Sequence, residues 1–172
     1  MTFTYNPIAI FNASDVEPEG YELRKTAKAV VIDGNGNSLV FRSSLIGGWV
    51  EEGESWEEAL HREAMEEVGA EIEIIKSLGE VVAYRDALKR KYVVCGFLCR
   101  YVRKTDEPLL LDPDELQQPA SWEKIEDTIA RIESDIEELK KQSPDSFEGD
   151  TYQAKLYNRM SMLIFLKESL LG

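Results

Sequence analysis

The chain has 172 residues and a formal net charge of −13, with 43% hydrophobic and 31% charged residues. That length suits a single domain, 1-172, able to bury a sizeable core, and no apolar run is long enough to span a membrane. The acidic balance argues against nucleic acid as a partner, because phosphate backbones are held chiefly by Lys and Arg.

FTYNPIAIF, near the start, reads as an edge strand interrupted by Pro7, followed by a polar acidic loop. Asp15, Glu17 and Glu19 stand where a secretory signal would carry basic and then apolar residues, so a cytoplasmic address is the default. Thr26 to Ile32, TAKAVVI, passes from alternation into a continuous apolar run, the pattern of a central strand buried on both faces. Asp33, Gly34, Asn35 and Gly36 form a strong turn signal, and Leu39 to Arg42 follows as the partner strand. A short link, Ser43 to Ile46, then reaches paired glycines. Arg42 reads as a solvated strand end, with a phosphate contact as the alternative.

Gly48 to Ala70, GWVEEGESWEEALHREAMEEVGA, is the most informative stretch. Ser55 with Glu58 fits a capping box at a helix start, and Gly69 closes the helix. Trp56, Leu60, Ala64 and Val68 make one apolar stripe that should face a sheet. Glu63, Glu66 and Glu67 fall at i, i+3 and i+4, which stacks three carboxylates on one side of the helix. Such repulsion calls for a neutralising cation. Mg²⁺ suits the task, since it binds through one or two carboxylates and fills its octahedron with water and substrate phosphate. A solvated acidic face is the bland alternative.

Gly48, Glu54, Arg62, Glu63, Ala64, Glu66, Glu67, Gly69 and Ala70 follow the pattern G-x5-E-x7-R-E-U-x-E-E-x-G-U. This stretch resembles the Nudix box, the signature of the Nudix hydrolase family, in which U is a bulky aliphatic residue. Both U positions hold alanine here, and Ile46 stands where the family often has a proline. The short Ser43 to Ile46 link is a further departure, and it removes a place where base or sugar contacts could be made.

Beyond the box, Glu71 to Ile75 and Val81 to Arg85 have strand character, and Lys91 to Val102, KYVVCGFLCRYV, is the clearest strand in the chain. Asp86 to Arg90 reads as a hairpin-like connection whose basic tip is a solvated turn or, alternatively, a hold on outer phosphates. Cys95 and Cys99 on an extended strand would lie about 13 Å apart, too far for a disulfide, so both read as buried free thiols. His61 is the lone histidine and reads as structural. Lys104 to Ser121 is a proline-punctuated loop. Ile125, Ile129, Ile132, Ile136 and Leu139 mark an amphipathic helix stopped by Ser143 and Pro144. A second helix, from about Thr151 to Leu171, carries Leu156, Met160, Leu163, Ile164 and Leu170. The two helices should pack on the sheet or on each other, with a homodimer through part of this surface as the alternative.

The resemblance implies an α/β fold, an α/β/α sandwich with a mixed sheet and an extra C-terminal helix. Its core is about 26-130 and its C-terminal helical extension about 123-171. It implies a metal-dependent pyrophosphohydrolase that cleaves a nucleoside diphosphate linked to another moiety by water attack at phosphorus. Mg²⁺ or Mn²⁺ would be held by Glu63, Glu66 and Glu67 with the Gly48 carbonyl, while Arg62 and Glu54 keep helix and loop in register. Family members often take a further carboxylate from a loop before a tryptophan-marked element. Trp122 looks like that marker, so Glu115 is the expected additional ligand or general base and Glu107 its competitor. Tyr84 falls near a subgroup-marking position and either stacks on a base or fills the core. The alternative function is a non-catalytic nucleotide-sensing or partner-binding module on the same fold.

Overall fold

A computed structural model describes residues 7–12, 18–105, 119–146, 148 and 151–171. Among the described residues, seven strands form one mixed sheet. They are β1 (Pro7–Phe11), β2 (Glu22–Ile32), β3 (Asn37–Phe41), β4 (Ser44–Leu45), β5 (Ala70–Arg85), β6 (Arg90–Lys104) and β7 (Ser121–Lys124). The order is β1-β5-β6-β2-β3-β4, with β7 paired to β3. The helices are α1 (Trp56–Val68), α2 (Ile125–Lys141) and α3 (Thr151–Ser169). None of the described helices is long and apolar enough to cross a membrane.

Strand β2 runs through the middle, parallel to β6 on one side and antiparallel to β3 on the other. Its side chains alternate between faces, as a pleated strand requires. Ala27, Ala29 and Val31 join Ala59, Leu60 and Ala64 of α1 in one core, with Phe97 and both cysteines of β6. Val30 joins the other core, with Ile132 and Ile136 of α2 and Met162, Phe165 and Leu166 of α3. The result is an α/β/α sandwich. Fully burying a side chain such as Leu60, Phe97 or Ile132 contributes about 1.5–3 kcal/mol. Ala64 and Ala70 are themselves buried, so small residues let α1 lie close to the sheet. Cys95 and Cys99 are free, and burial pushes both thiols up from their ordinary value.

Two strand segments expected separately, Glu71 to Ile75 and Val81 to Arg85, belong to the single strand β5. Gly79, at φ 102°, takes up a register irregularity, and pairing with β6 resumes on either side. Of the stripe expected on α3, Leu156, Met160, Leu163 and Ile164 pack against the core shared with α2, beside more deeply buried residues the stripe did not include. Ser161, Met162, Phe165 and Leu166 face inward, while Leu170 is 51% exposed. Phe165 sits against Gly96 of β6, where a Cβ would lie 2.3–2.7 Å from its ring, so the ring occupies the notch the glycine leaves. Tyr84 is buried, with the Tyr21 ring edge-on at 6.3 Å and Lys91 over its face, so it fills the core. At the basic tip, Arg90 pairs with Glu22 at 2.9 Å.

The chain that leaves β3 shapes the region next to α1. Arg42 and Ser43 both adopt left-handed backbone, at φ 50° and 57°, and turn the chain into β4. Instead of bulging outward, the following residues are zipped along the edge of β2. Ala29 N–H donates to the Ile46 carbonyl at 2.9 Å, Ala27 N–H to Gly48 at 3.0 Å, and Val50 N–H to Lys25 at 3.1 Å. The paired glycines are thereby fixed between β2 and the start of α1.

Candidate functional site

Helix α1 begins where the sequence places its start. Ser55 Oγ accepts the Glu58 N–H at 3.2 Å, and Glu58 Oε2 accepts the Ser55 N–H at 2.8 Å. Gly69 ends the helix in left-handed conformation, donating to the Ala64 and Met65 carbonyls. With both ends fixed, Arg62, Glu63, Glu66 and Glu67 are turned toward the glycine turn, and His61 is exposed.

Arg62 is the hub. Its Nε and Nη2 bond Glu54 at 3.0 and 3.1 Å, in the bidentate geometry that suits guanidinium and carboxylate. Nη2 also donates to the Trp49 carbonyl at 2.8 Å, while Nη1 donates to Glu63 at 2.9 Å and Glu66 at 3.1 Å. One guanidinium thus ties the loop after the glycines to three carboxylates. Its hydrogen bond to Glu54 is the largest influence raising the Arg62 pKa, with Glu63 and Glu66 adding to it. The same bond holds the Glu54 carboxyl below the usual glutamate range.

The glycines are required by contact. At Gly48 a Cβ would stand 2.4 Å from Glu63 Oε1 and 2.7 Å from Oε2, so the carboxylate lies flat against bare backbone. At Gly47, φ is 124° and a Cβ would stand 2.1 Å from the Ala27 carbonyl oxygen. Gly47 N–H donates to Glu67 Oε2 at 2.8 Å. The Gly47 carbonyl, in turn, accepts from Lys28 Nζ, which also reaches the Leu45 carbonyl at 3.2 Å. Lys28 is half-buried, and burial holds its ammonium below the ordinary lysine value against the pull of Glu67 and then Glu63. Two ionic groups therefore flank the glycine turn: Lys28 and Glu67, each bonded to the Gly47 backbone, and Arg62 with Glu63 and Glu66.

Of the residues expected from the sequence, Glu54, Arg62, Glu63 and Glu66 share one hydrogen-bonded cluster, while Glu67 accepts the Gly47 N–H. The Gly48 carbonyl accepts from Ala27, which engages one of its two lone pairs. Glu115 and Glu107 lie outside the described residues. Lys28 and Gly47 were not anticipated. A lysine inside the apolar run TAKAVVI was the available signal, because a charge there must find partners.

Among the described residues, no three carboxylates, thiols or imidazoles close on one point as a metal cage would. The donor set nonetheless fits a hard divalent ion, which needs only one or two protein carboxylates. Glu63 and Glu66 already direct oxygens at a single cationic nitrogen, and the glycine turn leaves room for the Glu63 carboxylate that any side chain would fill.

Comparison with known proteins gives a consistent result. The family model described as NUDIX domain matches residues 22–144. A NUDIX hydrolase from Nitrosomonas europaea is similar in structure, with TM-score 0.53 and 22% identity, over 63% of this chain and 77% of that one. The solution structure of the E. coli ORF135 protein matches with TM-score 0.50 and 19% identity, over 66% of this chain and 83% of that one. At these identities the likeness is one of fold. A search of the curated proteins by sequence finds no match.

Proposed function

Because the chain belongs to the Nudix family, we propose that it is a metal-dependent hydrolase of phosphoric anhydride bonds, acting on a nucleotide-type small molecule by water attack at phosphorus. The observation that carries this reading is the Arg62 hub, which holds Glu54, Glu63, Glu66 and the Trp49 carbonyl in one rigid arrangement beside the glycine turn. Phosphoryl chemistry asks mainly for positioning and electrostatic stabilisation, which is what such a hub supplies.

Glu63, Glu66 and Glu67, with the second lone pair of the Gly48 carbonyl, are the groups that would hold Mg²⁺ or Mn²⁺. When bound, the ion would lower the pKa of a water and offset charge on the departing phosphate. Arg62 and Glu54 act through those carboxylates, by keeping α1 against the turn. Lys28 acts similarly from the other side, by fixing the Gly47 carbonyl. Glu115, or Glu107 in its place, supplies the additional ligand or general base from the loop before Trp122. Two free thiols suit a reducing compartment, so the cytoplasm is the proposed address.

The test is a panel of nucleoside diphosphate derivatives, nucleoside triphosphates and diphosphoinositol polyphosphates, assayed for phosphate products with Mg²⁺, with Mn²⁺ and with chelator. Metal-dependent cleavage is expected, and Glu67→Gln should leave folding nearly intact while removing most turnover. A fully active Glu67→Gln variant would contradict the assignment of Glu67. Retention of nucleotide with no product under any metal would identify the non-catalytic binding module instead.

A further inference from the structure

The two helices that follow β7 reach back to the turn where the link to the paired glycines begins. Arg159 of α3 donates from Nη1 to the Ser43 carbonyl at 3.0 Å, and Arg131 of α2 donates from its own Nη1 to the same oxygen at 3.5 Å. A carbonyl oxygen has two lone pairs, so it can accept from both guanidinium groups at once. Each arginine is anchored on its far side. Arg159 Nε lies 3.3 Å from Asp135 of α2, and Arg131 Nη2 bonds Glu123 of β7 at 3.0 Å. Both are half-buried, so water competes less with these charge-assisted contacts.

The turn they hold needs holding. Arg42 and Ser43 are both left-handed without being glycine, a conformation that side chains disfavour and that persists where surrounding contacts over-determine it. The two arginines act on the second of these residues. Next to it, Ser44 Oγ donates to Met162 Sδ of α3 at 3.7 Å, and Leu45, 1% exposed, packs in the core that α2 and α3 build.

From Ser43 the glycine turn is four residues away. The Leu45 carbonyl accepts from Lys28 Nζ at 3.2 Å, and the same ammonium reaches the Gly47 carbonyl. The Ile46 carbonyl accepts the Ala29 N–H, and the Gly47 N–H ends on Glu67. Every residue from Ser43 to Gly47 is thus bonded to another element, which leaves no slack. A long loop would absorb a displacement at Ser43, whereas this link passes it on. Helix α3 begins at Thr151, past residue 144, where the family match ends, so Arg159 belongs to this chain's own C-terminal extension.

We propose that Arg159 and Arg131 are positioning residues, which clamp the Ser43 turn from the two C-terminal helices and thereby keep the glycine turn and Glu67 in place. The effect on turnover rests on the hydrolase reading, and the effect on the turn stands without it.

The test uses the full chain, labelled with ¹⁵N, and reads amide hydrogen exchange beside turnover. Arg159→Met keeps the stem and removes the donors. Exchange at Gly47 should rise ten-fold or more beyond any rise at Val30 and Phe97, which are fully buried in the middle of the sheet and report global opening. Turnover is followed as product formed from ADP-ribose, GDP-mannose or dGTP with Mg²⁺. On a substrate that the wild-type chain cleaves, kcat should fall about ten-fold with KM within about two-fold, the pattern of lost positioning. Arg159→Lys should recover part of both effects, because an ammonium can still reach one carbonyl. Arg131→Met should show the same pattern more weakly, and it carries the comparison if Arg159→Met fails to fold. Lys167→Met removes an ion pair between the same two helices, 2.6 Å to Glu133, and should leave both readouts unchanged. Equal rises at all three amides, unchanged exchange at Gly47, or a loss of kcat shared by Lys167→Met would overturn the clamp. Loosening of Gly47 in a chain that cleaves none of the three substrates would uphold the clamp and count against the hydrolase reading.

Discussion

Gly48→Ala perturbs the candidate site at one atom and isolates the contact on which the carboxylate arrangement depends. The Gly48 backbone is not in the left-handed region, so alanine meets no conformational penalty and only the added methyl acts. That methyl would stand 2.4–2.7 Å from the Glu63 carboxylate, whereas ordinary contact begins at 3.4 Å, so the carboxylate must retreat by about 1 Å. The retreat breaks the 2.9 Å bond to Arg62 Nη1. A hydrogen bond between charged groups contributes about 1.5–3 kcal/mol, and replacing glycine with alanine returns about 0.4–1 kcal/mol through the unfolded chain. The net loss is about 1–2 kcal/mol, or roughly 2–8 °C in melting temperature for a chain of this length. A displacement of about 1 Å in the positioning machinery costs on the order of 100-fold in turnover. Gly34→Ala is the control, because nothing lies within 4 Å of its Cβ and its backbone is equally permissive. Thermal melts and metal-dependent phosphate release measure both effects. A Gly48→Ala chain that melts with the control and turns over at the wild-type rate would show that Glu63 does not lie against the turn.

Arg62→Lys should lower the urea midpoint by the equivalent of about 1–3 kcal/mol, because an ammonium cannot span Glu54, Glu63, Glu66 and the Trp49 carbonyl at once; an unchanged midpoint would discount the hub. Gly96→Ala drives a methyl into the Phe165 ring and should destabilise by about 1–3 kcal/mol, with Phe165→Leu restoring part of the loss in a double-mutant cycle. Additive effects in that cycle would mean that Phe165 does not fill the notch at Gly96. Glu54 has its folded pKa depressed below the ordinary 4.5, chiefly by the Arg62 bond, so its contribution is present above that value and lost as pH falls through the lower folded one. Glu54→Gln should therefore flatten the acid limb of the stability profile, measured as urea midpoints over about pH 3 to 7; an acid limb identical to wild type would assign that loss to other carboxylates.

The acidic helix was the most legible part of the chain, for reasons that are local. A capping box, a closing glycine and the i, i+3, i+4 spacing all act within a few turns of backbone, so Ser55, Glu58, Gly69 and the three glutamates carry their meaning in order alone. The same holds for TAKAVVI as a central strand and for the isoleucines of α2, where period and burial coincide. Where local signals are degenerate, the sequence was silent or misleading. Helix α3 has apolar residues around much of its circumference, so its own periodicity cannot choose an inward face. The notch at Gly96 of β6, which the Phe165 ring fills, is a contact that periodicity does not reveal.

Amino-acid order thus carried the family resemblance, through it the expected sandwich, and the stacking of Glu63, Glu66 and Glu67 on α1, because the signature's spacing lies along one turn and one helix. Only the folded arrangement decided that Lys28 grips the glycine turn, that the Gly48 carbonyl is bonded to β2, that β5 is one strand across a bulge, and that α3 reaches back to the Ser43 carbonyl. Each of these joins residues from different elements, and what selects such a partner is the space left by other side chains. That space exists only once the layers have packed.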